Sequence, residues 1–204
     1  MTVLGPFARA GVWVQGCPFR CDGCITKESL DFADGFEKTV DAVAAWILDV
    51  ATARDATLEG ITFSGGEPFA QPDACADIVE IVRRDLDLGV VCYSGFTLEE
   101  LQAKRTDGVR GLLALVDLLI DGRYERELHA DLLWRGSSNQ RLIHLTDRYR
   151  AEVERIIGER GDRSAGLEIR LDAQGRLDIT GVPPTPDFRV RIESCRDGQL
   201  DNRR

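Results

Sequence analysis

Three cysteines stand close together near the start of the chain, in the sequence GCPFRCDGC. Cys17, Cys21 and Cys24 are separated by three and two residues, and the glycines and proline among them disfavour a helix. Thiolates bind soft metals and iron–sulfur clusters, and a curled loop of this spacing brings three of them to one centre. The spacing therefore predicts a metal centre with three cysteine ligands.

Three ligands leave the type of centre open. A structural zinc site needs four ligands, and the fourth would have to come from an isolated side chain in or beside a predicted helix or strand. The available side chains are Cys75, Cys92, Cys195, His129 and His144. A four-iron cluster held by three cysteines keeps one iron without a protein ligand, as in an open catalytic site. The spacing favours the cluster, and zinc or unliganded core cysteines stay as alternatives.

A second stretch, ITFSGGEPFAQ, places Gly65, Gly66, Glu67 and Pro68 directly after an apolar run. Proteins of the α/β class bind ligands where their parallel strands end, and glycines there let a ligand approach the backbone closely. On its own, such a stretch is more often a turn than a site.

The elements that position these residues follow from hydrophobic patterning. Strands are predicted at 12–15, 60–65, 88–95, 116–122 and 141–145, and helices at 36–53, 72–86, after the capping box of Thr97 and Glu100, and at 146–158. Continuous apolar strands that alternate with helices indicate a parallel sheet buried on both faces. A complete eight-unit barrel takes about 250 residues. The predicted fold class is therefore α/β, a partial parallel (β/α) barrel over residues 1–158.

The remaining segment, residues 159–204, is predicted to be a linker, a β-hairpin and a proline-rich tail. Apolar residues alternate at 167, 169 and 171 and at 177 and 179, around the turn sequence Asp-Ala-Gln-Gly. An isolated hairpin is marginal in water, so it must pack on something. We expect it to cover the open edge of its own domain, with docking to a partner as the alternative. The tail from Pro183 to Arg204 reads as irregular.

Composition and charge exclude several classes. The formal net charge of −9, without a local Lys/Arg cluster, disfavours nucleic acid as a partner. The longest apolar run, GLLALVDLLI, is interrupted by Asp117, and no basic leader precedes an apolar run, so neither membrane spanning nor export is expected. Six cysteines without a signal peptide indicate a reducing compartment. The expected location is cytoplasmic.

The cysteine triad and GGEP together make the chain resemble the radical S-adenosylmethionine (SAM) superfamily. More closely, residues 5–146 are similar to the anaerobic ribonucleotide reductase activating proteins. The shared motifs are WVQGCPFRCDGC, TFSGGEPFAQ, CYSGFTLEEL and LLIDGRYERELHADLLWRGSSNQRLIHL. The resemblance implies a partial barrel of the radical SAM type, and it implies that Cys17, Cys21 and Cys24 bind a 4Fe-4S cluster whose open iron takes the amino and carboxylate groups of SAM.

The resemblance also implies contacts to SAM at six further positions. Gly65, Gly66 and Glu67 would line the methionine amino group, mainly through backbone, with Pro68 stiffening the turn. Phe19 would pack near the adenine. Ser94 and Asp121 are candidates to contact the rest of SAM, with a turn residue and a strand cap as the respective alternatives. The segment 135–141 is expected to be a polar rim near the cofactor or partner, or else a solvated loop.

The implied function is a radical SAM enzyme that cleaves SAM reductively to methionine and a 5′-deoxyadenosyl radical. That radical would abstract hydrogen from a glycine Cα of a partner glycyl-radical enzyme, with an electron from a donor such as flavodoxin or ferredoxin. The alternatives are a radical SAM enzyme that modifies a peptide or small metabolite, and a non-catalytic, metal-stabilised binding module. A second cluster is not expected. Cys75 and Cys92 are expected in the core, and Cys195 has no assigned place.

Overall fold

The structure is a computed structural model that describes residues 1–53, 58–171, 173 and 177–196. In chain order its strands are β1 (Arg9–Val14), β2 (Gly60–Gly65), β3 (Gly89–Ser94), β4 (Leu118–Asp121), β5 (His129–Leu132), β6 (Arg135–Ser137), β7 (Arg141–His144), β8 (Leu167–Leu171) and β9 (Leu177–Gly181). Its helices are α1 (Val40–Thr52), α2 (Pro72–Val82), α3 (Leu98–Lys104), α4 (Asp107–Leu115), α5 (Arg150–Arg160) and α6 (Phe188–Arg196). None of these helices has the length and apolar character needed to cross a bilayer.

The main sheet has the strand order β1-β2-β3-β4-β7. Strands β1 to β4 are parallel, which confirms a mixed α/β protein with a parallel-strand sheet, whereas β7 runs antiparallel to β4. The expectation of a fifth parallel strand was therefore wrong. Parallel neighbours need a crossover, usually a helix, but residues 122–140 contain the small β5–β6 hairpin instead. The partial barrel is not confirmed.

The two faces of the sheet are covered by different elements. Helices α1, α2, α3 and α4 contribute to an apolar cluster with Ile61, Phe63, Val90 and Cys92 on one face. On the other face, Val91 and Ile120 pack with Trp134 and with Tyr149 beside α5. Neighbouring strand residues thus point into opposite clusters, as continuous apolar runs require.

Several boundaries differ from the sequence predictions for local reasons. Helix α1 begins at Val40, because the Thr39 side chain accepts a hydrogen bond from the Ala42 N–H, while Phe36 is 94% exposed. The capping box of Thr97 and Glu100 is confirmed. Helix α4 was not predicted, because its apolar residues merge in sequence with those of β4.

The C-terminal segment is partly as expected. Strands β8 and β9 pair antiparallel with Leu171 opposite Leu177. Asp172 and residues 174–176 of the predicted turn lie outside the described residues, so the turn stays a prediction. The irregular tail was wrong for Phe188–Arg196, which form α6. This helix begins two residues after Pro186, the last proline of the chain.

Arg9 in β1 is a buried arginine whose hydrogen bonds reach residues far apart in the chain. Its side chain is 2% exposed, and its guanidinium donates to the Thr62 hydroxyl, the Tyr149 hydroxyl and three backbone carbonyls, those of Pro6, Ile61 and Gly89. All of these acceptors are neutral, and burial lowers the pKa of Arg9. The guanidinium has five N–H donors in a planar arrangement, and each meets one of these five acceptors. A lysine ammonium has only three donors and could not satisfy them all.

We therefore expect Arg9→Lys to lower the free energy of unfolding by about 2–4 kcal/mol, because at least two buried acceptors lose their donors. Urea unfolding measures the change. Arg163→Lys, at an exposed position, is the matched control and should stay within about 0.5 kcal/mol of wild type. An Arg9→Lys protein as stable as the control would show that the hydrogen bonds of Arg9 do not hold the fold.

Candidate functional site

The cysteine loop is joined to the end of β2 by backbone hydrogen bonds. The Gly66 N–H donates to the Val14 carbonyl and the Glu67 N–H to the Gly16 carbonyl, each at 2.8 Å. The Gly16 N–H in turn donates to the Ser29 carbonyl at 2.9 Å. The loop that carries the three cysteines therefore begins and ends beside the GGEP stretch.

Side chains add to this connection. The Thr26 hydroxyl donates to the Gly65 carbonyl at 2.8 Å, and the Gln71 amide donates to the Gln15 carbonyl at 2.8 Å. Thr26 lies two residues after Cys24, so its bond fixes the far end of the loop. The structure thus brings two distant motifs of the sequence together at one edge of the sheet.

Gly66 is needed for the packing of backbone on backbone. A Cβ at this position would lie 2.3 Å from the Gly16 carbonyl oxygen and 2.7 Å from that of Ser29. Gly65 has φ +96°, a conformation that side chains other than glycine rarely adopt. The expected close approach of a ligand is not needed to explain these glycines, because the cysteine loop already occupies the space.

The three cysteines share one loop and form no disulfide. Cys17 is buried, whereas Cys21 and Cys24 are half-buried. Burial raises the pKa of Cys17 and of Cys21, and the neighbouring thiols add to the rise. Burial therefore disfavours the thiolates of Cys17 and Cys21, and a metal centre bound there would favour them.

A group of three side chains placed to hold a single metal ion is not found in the described part of the chain, among its His, Cys, Asp and Glu residues. In a 4Fe-4S cluster each cysteine binds a different iron, so a cluster does not need three thiolates around one ion. The ligand roles of Cys17, Cys21 and Cys24 stay predictions.

Glu67 is a buried carboxylate at the end of β2. Its oxygens accept hydrogen bonds from the Phe69 N–H, the Ser94 hydroxyl and the Gly95 N–H at 2.8–3.0 Å. Burial raises its pKa to about 7, and these hydrogen bonds oppose the rise. The Glu67 side chain thus connects the ends of β2 and β3, a role that the sequence prediction, which assigned it a contact mainly through backbone, did not include.

Phe19 lies in the same place, between the cysteines and the end of β3. The Phe19 and Phe96 rings pack edge-on with their centres 4.6 Å apart. The Arg123 guanidinium lies 4.4 Å from the centre of the Phe19 ring. The Lys104 ammonium lies 4.1 Å from the centre of the Phe96 ring. Two cations therefore flank two aromatic rings at this edge of the sheet. The sequence prediction missed Arg123, although it directly follows a predicted strand.

Asp121 ends β4 opposite Ser94 in the sheet register, but its carboxylate already has partners. It accepts from the Leu98 N–H at 2.7 Å, and Arg141 donates to both of its oxygens. Arg141 also binds Glu99. The alternative reading of Asp121 as a cap is thus supported by contacts, and a direct contact to SAM stays a prediction.

The segment 135–141 supports the loop that follows β4. The Asn139 amide donates to the Arg123 carbonyl at 2.8 Å, and the Gln140 amide donates to the Gly122 carbonyl at 2.9 Å. This loop also carries Tyr124, whose ring lies 3.2 Å from a Cβ placed on Gly23. The predicted polar rim therefore holds a loop that covers the cysteines, and its Ser137 is buried rather than solvated.

The other possible ligands lie elsewhere. Cys75 and Cys92 are 1% and 0% exposed in the apolar cluster, which confirms them as core residues. The His129 Nδ1 lies 3.1 Å from the Tyr124 hydroxyl. His144 is in β7 at the opposite end from Asp121. The side chain of Cys195 lies outside the described part of the structure.

Comparison with known proteins gives one family match and several curated relatives. Residues 3–143 match the family described as a 4Fe-4S single cluster domain. A protein of Pasteurella multocida (strain Pm70) is 34% identical over 151 residues, 71% of this chain and 92% of the relative. A protein of Escherichia coli (strain K12) is 33% identical over 153 residues, 70% of this chain and 92% of the relative.

Both relatives are named anaerobic ribonucleoside-triphosphate reductase-activating protein, as is one of Vibrio cholerae that is 33% identical over 147 residues, 70% of this chain and 90% of the relative. The family match includes the three cysteines, the GGEP stretch and strands β1 to β4. Because the matches cover most of this chain and nearly all of the relatives, the chain belongs to the family of anaerobic ribonucleoside-triphosphate reductase-activating proteins.

Proposed function

We propose that the chain is a radical SAM enzyme that generates a glycyl radical on a partner such as an anaerobic ribonucleotide reductase. The observation that carries the proposal is the hydrogen-bonded junction between the cysteine loop and Gly65–Glu67 at the carboxyl end of β2. The loop has three cysteines and no fourth, which suits a cluster with an open iron. It lies at the edge of the sheet where α/β proteins bind ligands.

When bound, the cluster and SAM supply the redox chemistry: one electron breaks the bond from sulfur to the 5′ carbon, which gives methionine and a radical that takes hydrogen from a glycine Cα. The chain's own residues hold and orient these groups. Cys17, Cys21 and Cys24 would bind three irons. The electron would come from a one-electron donor such as flavodoxin or ferredoxin, and the protein would act in the cytoplasm.

The GGEP stretch has a free acceptor for the amino group of SAM. The N–H groups of Gly66 and Glu67 are used by Val14 and Gly16, and the Glu67 carbonyl accepts from Ala70. Within the described residues the Gly66 carbonyl has no such partner. A carbonyl beside the cysteine loop is a suitable acceptor for an ammonium group.

Side chains around this carbonyl would complete the site. Phe19 and Phe96 offer aromatic surface for an adenine, and Arg123 and Lys104 lie close to the two rings. Ser94 bridges Glu67 and the turn after β3, because its hydroxyl donates to the Glu67 carboxylate and accepts from the Phe96 N–H. Asp121 would act through Arg141 and α3, to which its carboxylate is bound.

The direct test is anaerobic reconstitution with iron and sulfide, followed by reduction in the presence of SAM. We expect about four irons per chain and the release of 5′-deoxyadenosine, quantified by chromatography. Incubation with an anaerobic ribonucleotide reductase should then give the EPR doublet of a glycyl radical. Cleavage of SAM without that doublet would favour another substrate, and stoichiometric zinc without cleavage would favour a binding module.

Replacing Cys17, Cys21 or Cys24 by Ala should abolish both cluster assembly and SAM cleavage, because two thiolates do not hold the cluster. Iron content and 5′-deoxyadenosine yield are the measurements. Cys75→Ala and Cys92→Ala remove thiols of the core and are the controls, which should keep the iron content of wild type. Wild-type cleavage in any of the three loop variants would refute the ligand assignment.

Glu67 should make the protein less stable as the pH rises. Its pKa is about 7 when folded and 4.5 when unfolded, so the folded state keeps its proton over this interval while the unfolded state loses it. The stabilising contribution is complete below pH 4.5 and declines until pH 7, by about 3 kcal/mol. Glu67→Gln lacks this slope.

Urea unfolding of the two proteins at pH 5 and pH 8 measures the difference. The Gln variant should also be weaker at pH 5, because its amide N–H₂ faces a backbone donor. Glu37→Gln, at an exposed position, is the control and should keep the wild-type slope. An equal pH dependence in wild type and Glu67→Gln would mean that Glu67 titrates normally.

A further inference from the structure

The C-terminal extension reaches the cysteine loop. We call residues 183–196, which include α6, the strap. Two side chains near the start of α6, Asp187 and Arg189, contact residues in or beside the loop. They approach it from outside the sheet, and no part of the cofactor junction described above includes them.

Arg189 holds the part of the loop that follows Cys24. Its guanidinium donates to the Ile25 carbonyl and forms an ion pair with Glu28. The Arg189 side chain is 20% exposed, against 72% for that of Glu28. Because Ile25 directly follows Cys24, the bond to its carbonyl restricts the backbone next to a predicted iron ligand.

Asp187 holds the other side of the same turn, through an arginine. It pairs with Arg126, whose Nε lies 3.9 Å from a carboxylate oxygen of Asp22. Asp22 lies between Cys21 and Cys24. Arg126 also continues the segment that contains Tyr124, which packs beside Gly23. The strap is therefore connected to both ends of the Cys21–Cys24 turn, directly at Ile25 and through Arg126 at Asp22.

Among the described residues, the turn has one backbone hydrogen bond of its own, from the Cys24 N–H to the Cys21 carbonyl at 3.2 Å. The bond from Thr26 to Gly65 and the ring of Tyr124 beside Gly23 also hold it, and the contacts of the strap add to these few. A cavity of about 1270 Å³, lined in part by Trp13, Trp46, Phe188 and Ile192, separates α6 from β1 and α1. The strap is thus attached to the loop mainly by polar contacts rather than by close apolar packing.

The strap lies beyond the part of the chain that matches the family. The family match ends at residue 143, and the curated relatives align with 70–71% of this chain while 90–92% of their own length is covered. Most of the extension therefore has no counterpart in them.

We propose that the strap is a positioning element that keeps the Cys21–Cys24 turn closed and so retains the cluster. The proposal rests on the proposed function, since it assumes the cluster. Arg189 and Asp187 do not touch iron; they hold the backbone that carries two of its ligands. Because the attachment is ionic and partly exposed, salt should weaken it.

The test uses the full chain, reconstituted anaerobically, and the rate of iron loss to a ferrous chelator. Arg189→Glu should release iron about five-fold faster than wild type, which corresponds to about 1 kcal/mol. Raising the salt should speed release from wild type and leave Arg189→Glu nearly unchanged. Arg189→Lys keeps a donor and a positive charge and should stay within about two-fold of wild type. Arg191→Glu makes the same charge change at an exposed position of α6 and should release iron as wild type does.

A second measurement needs no metal. In the apo-protein, trypsin should cleave after Arg20 or Lys27 faster in Arg189→Glu than in Arg191→Glu, because an unheld loop opens more often. Equal rates of iron loss from wild type and Arg189→Glu would contradict the proposed role of the strap, as would an equal acceleration of iron loss in Arg191→Glu. Neither result would affect the proposed function. A wild type that assembles no cluster would overturn the proposed function as well, so the two failures are distinguishable.

Discussion

The site depends on one short run of backbone hydrogen bonds in which Gly16 is the central residue. Its carbonyl accepts from the Glu67 N–H, and its N–H donates to the Ser29 carbonyl. The start of the cysteine loop, directly after β1, is therefore bonded both to the turn after β2 and to the end of the same loop. A Cβ on Gly16 would lie 2.2 Å from the Phe32 ring, and one on Gly66 would meet the Gly16 carbonyl. Gly66 is needed because two backbones meet there without space for a side chain, and Gly16 is needed because its φ of +92° and the nearby Phe32 ring disfavour any other residue. The parallel pairing of β1 with β2 simply continues past the strands into this junction.

A buried carboxylate without a cation completes that junction. The Glu67 carboxylate is bound by neutral donors from β3 and from its own turn, and Lys104 acts on it only from a distance. Such an arrangement keeps the carboxyl close to its titration point near neutral pH, where a charge brought in by a ligand has a large effect on it. SAM carries a sulfonium and an ammonium. In the proposed function these cations would be bound beside Gly66, where they would act on the same side chain that joins β2 to β3.

Much of this arrangement could be predicted from the sequence because it depends on local features. Glycine-rich turns after apolar strands, cysteine spacing and the Thr97 cap are local, and they placed the two motifs at one edge of the sheet. The direction of β7 could not be predicted, because it depends on whether residues 122–140 form a helix or a hairpin. The partners of Arg9, Arg123 and Arg141 could not be predicted either, since each arginine meets residues far along the chain. The Glu67 side chain was missed because its partners lie on the next strand.

The two halves of the cysteine loop are held by contacts of different physical kinds. Cys17 is buried, and its N–H donates to the Leu30 carbonyl next to the Gly16 junction, so this half moves only if several backbone hydrogen bonds break. Cys21 and Cys24 are half-buried in a turn held by side chains, several of them charged and exposed. Backbone hydrogen bonds in a buried junction open rarely, whereas exposed ion pairs exchange readily with water. Local opening of the loop should therefore begin at the Cys21–Cys24 turn, which is the half that an extension beyond the family's shared core is placed to restrain.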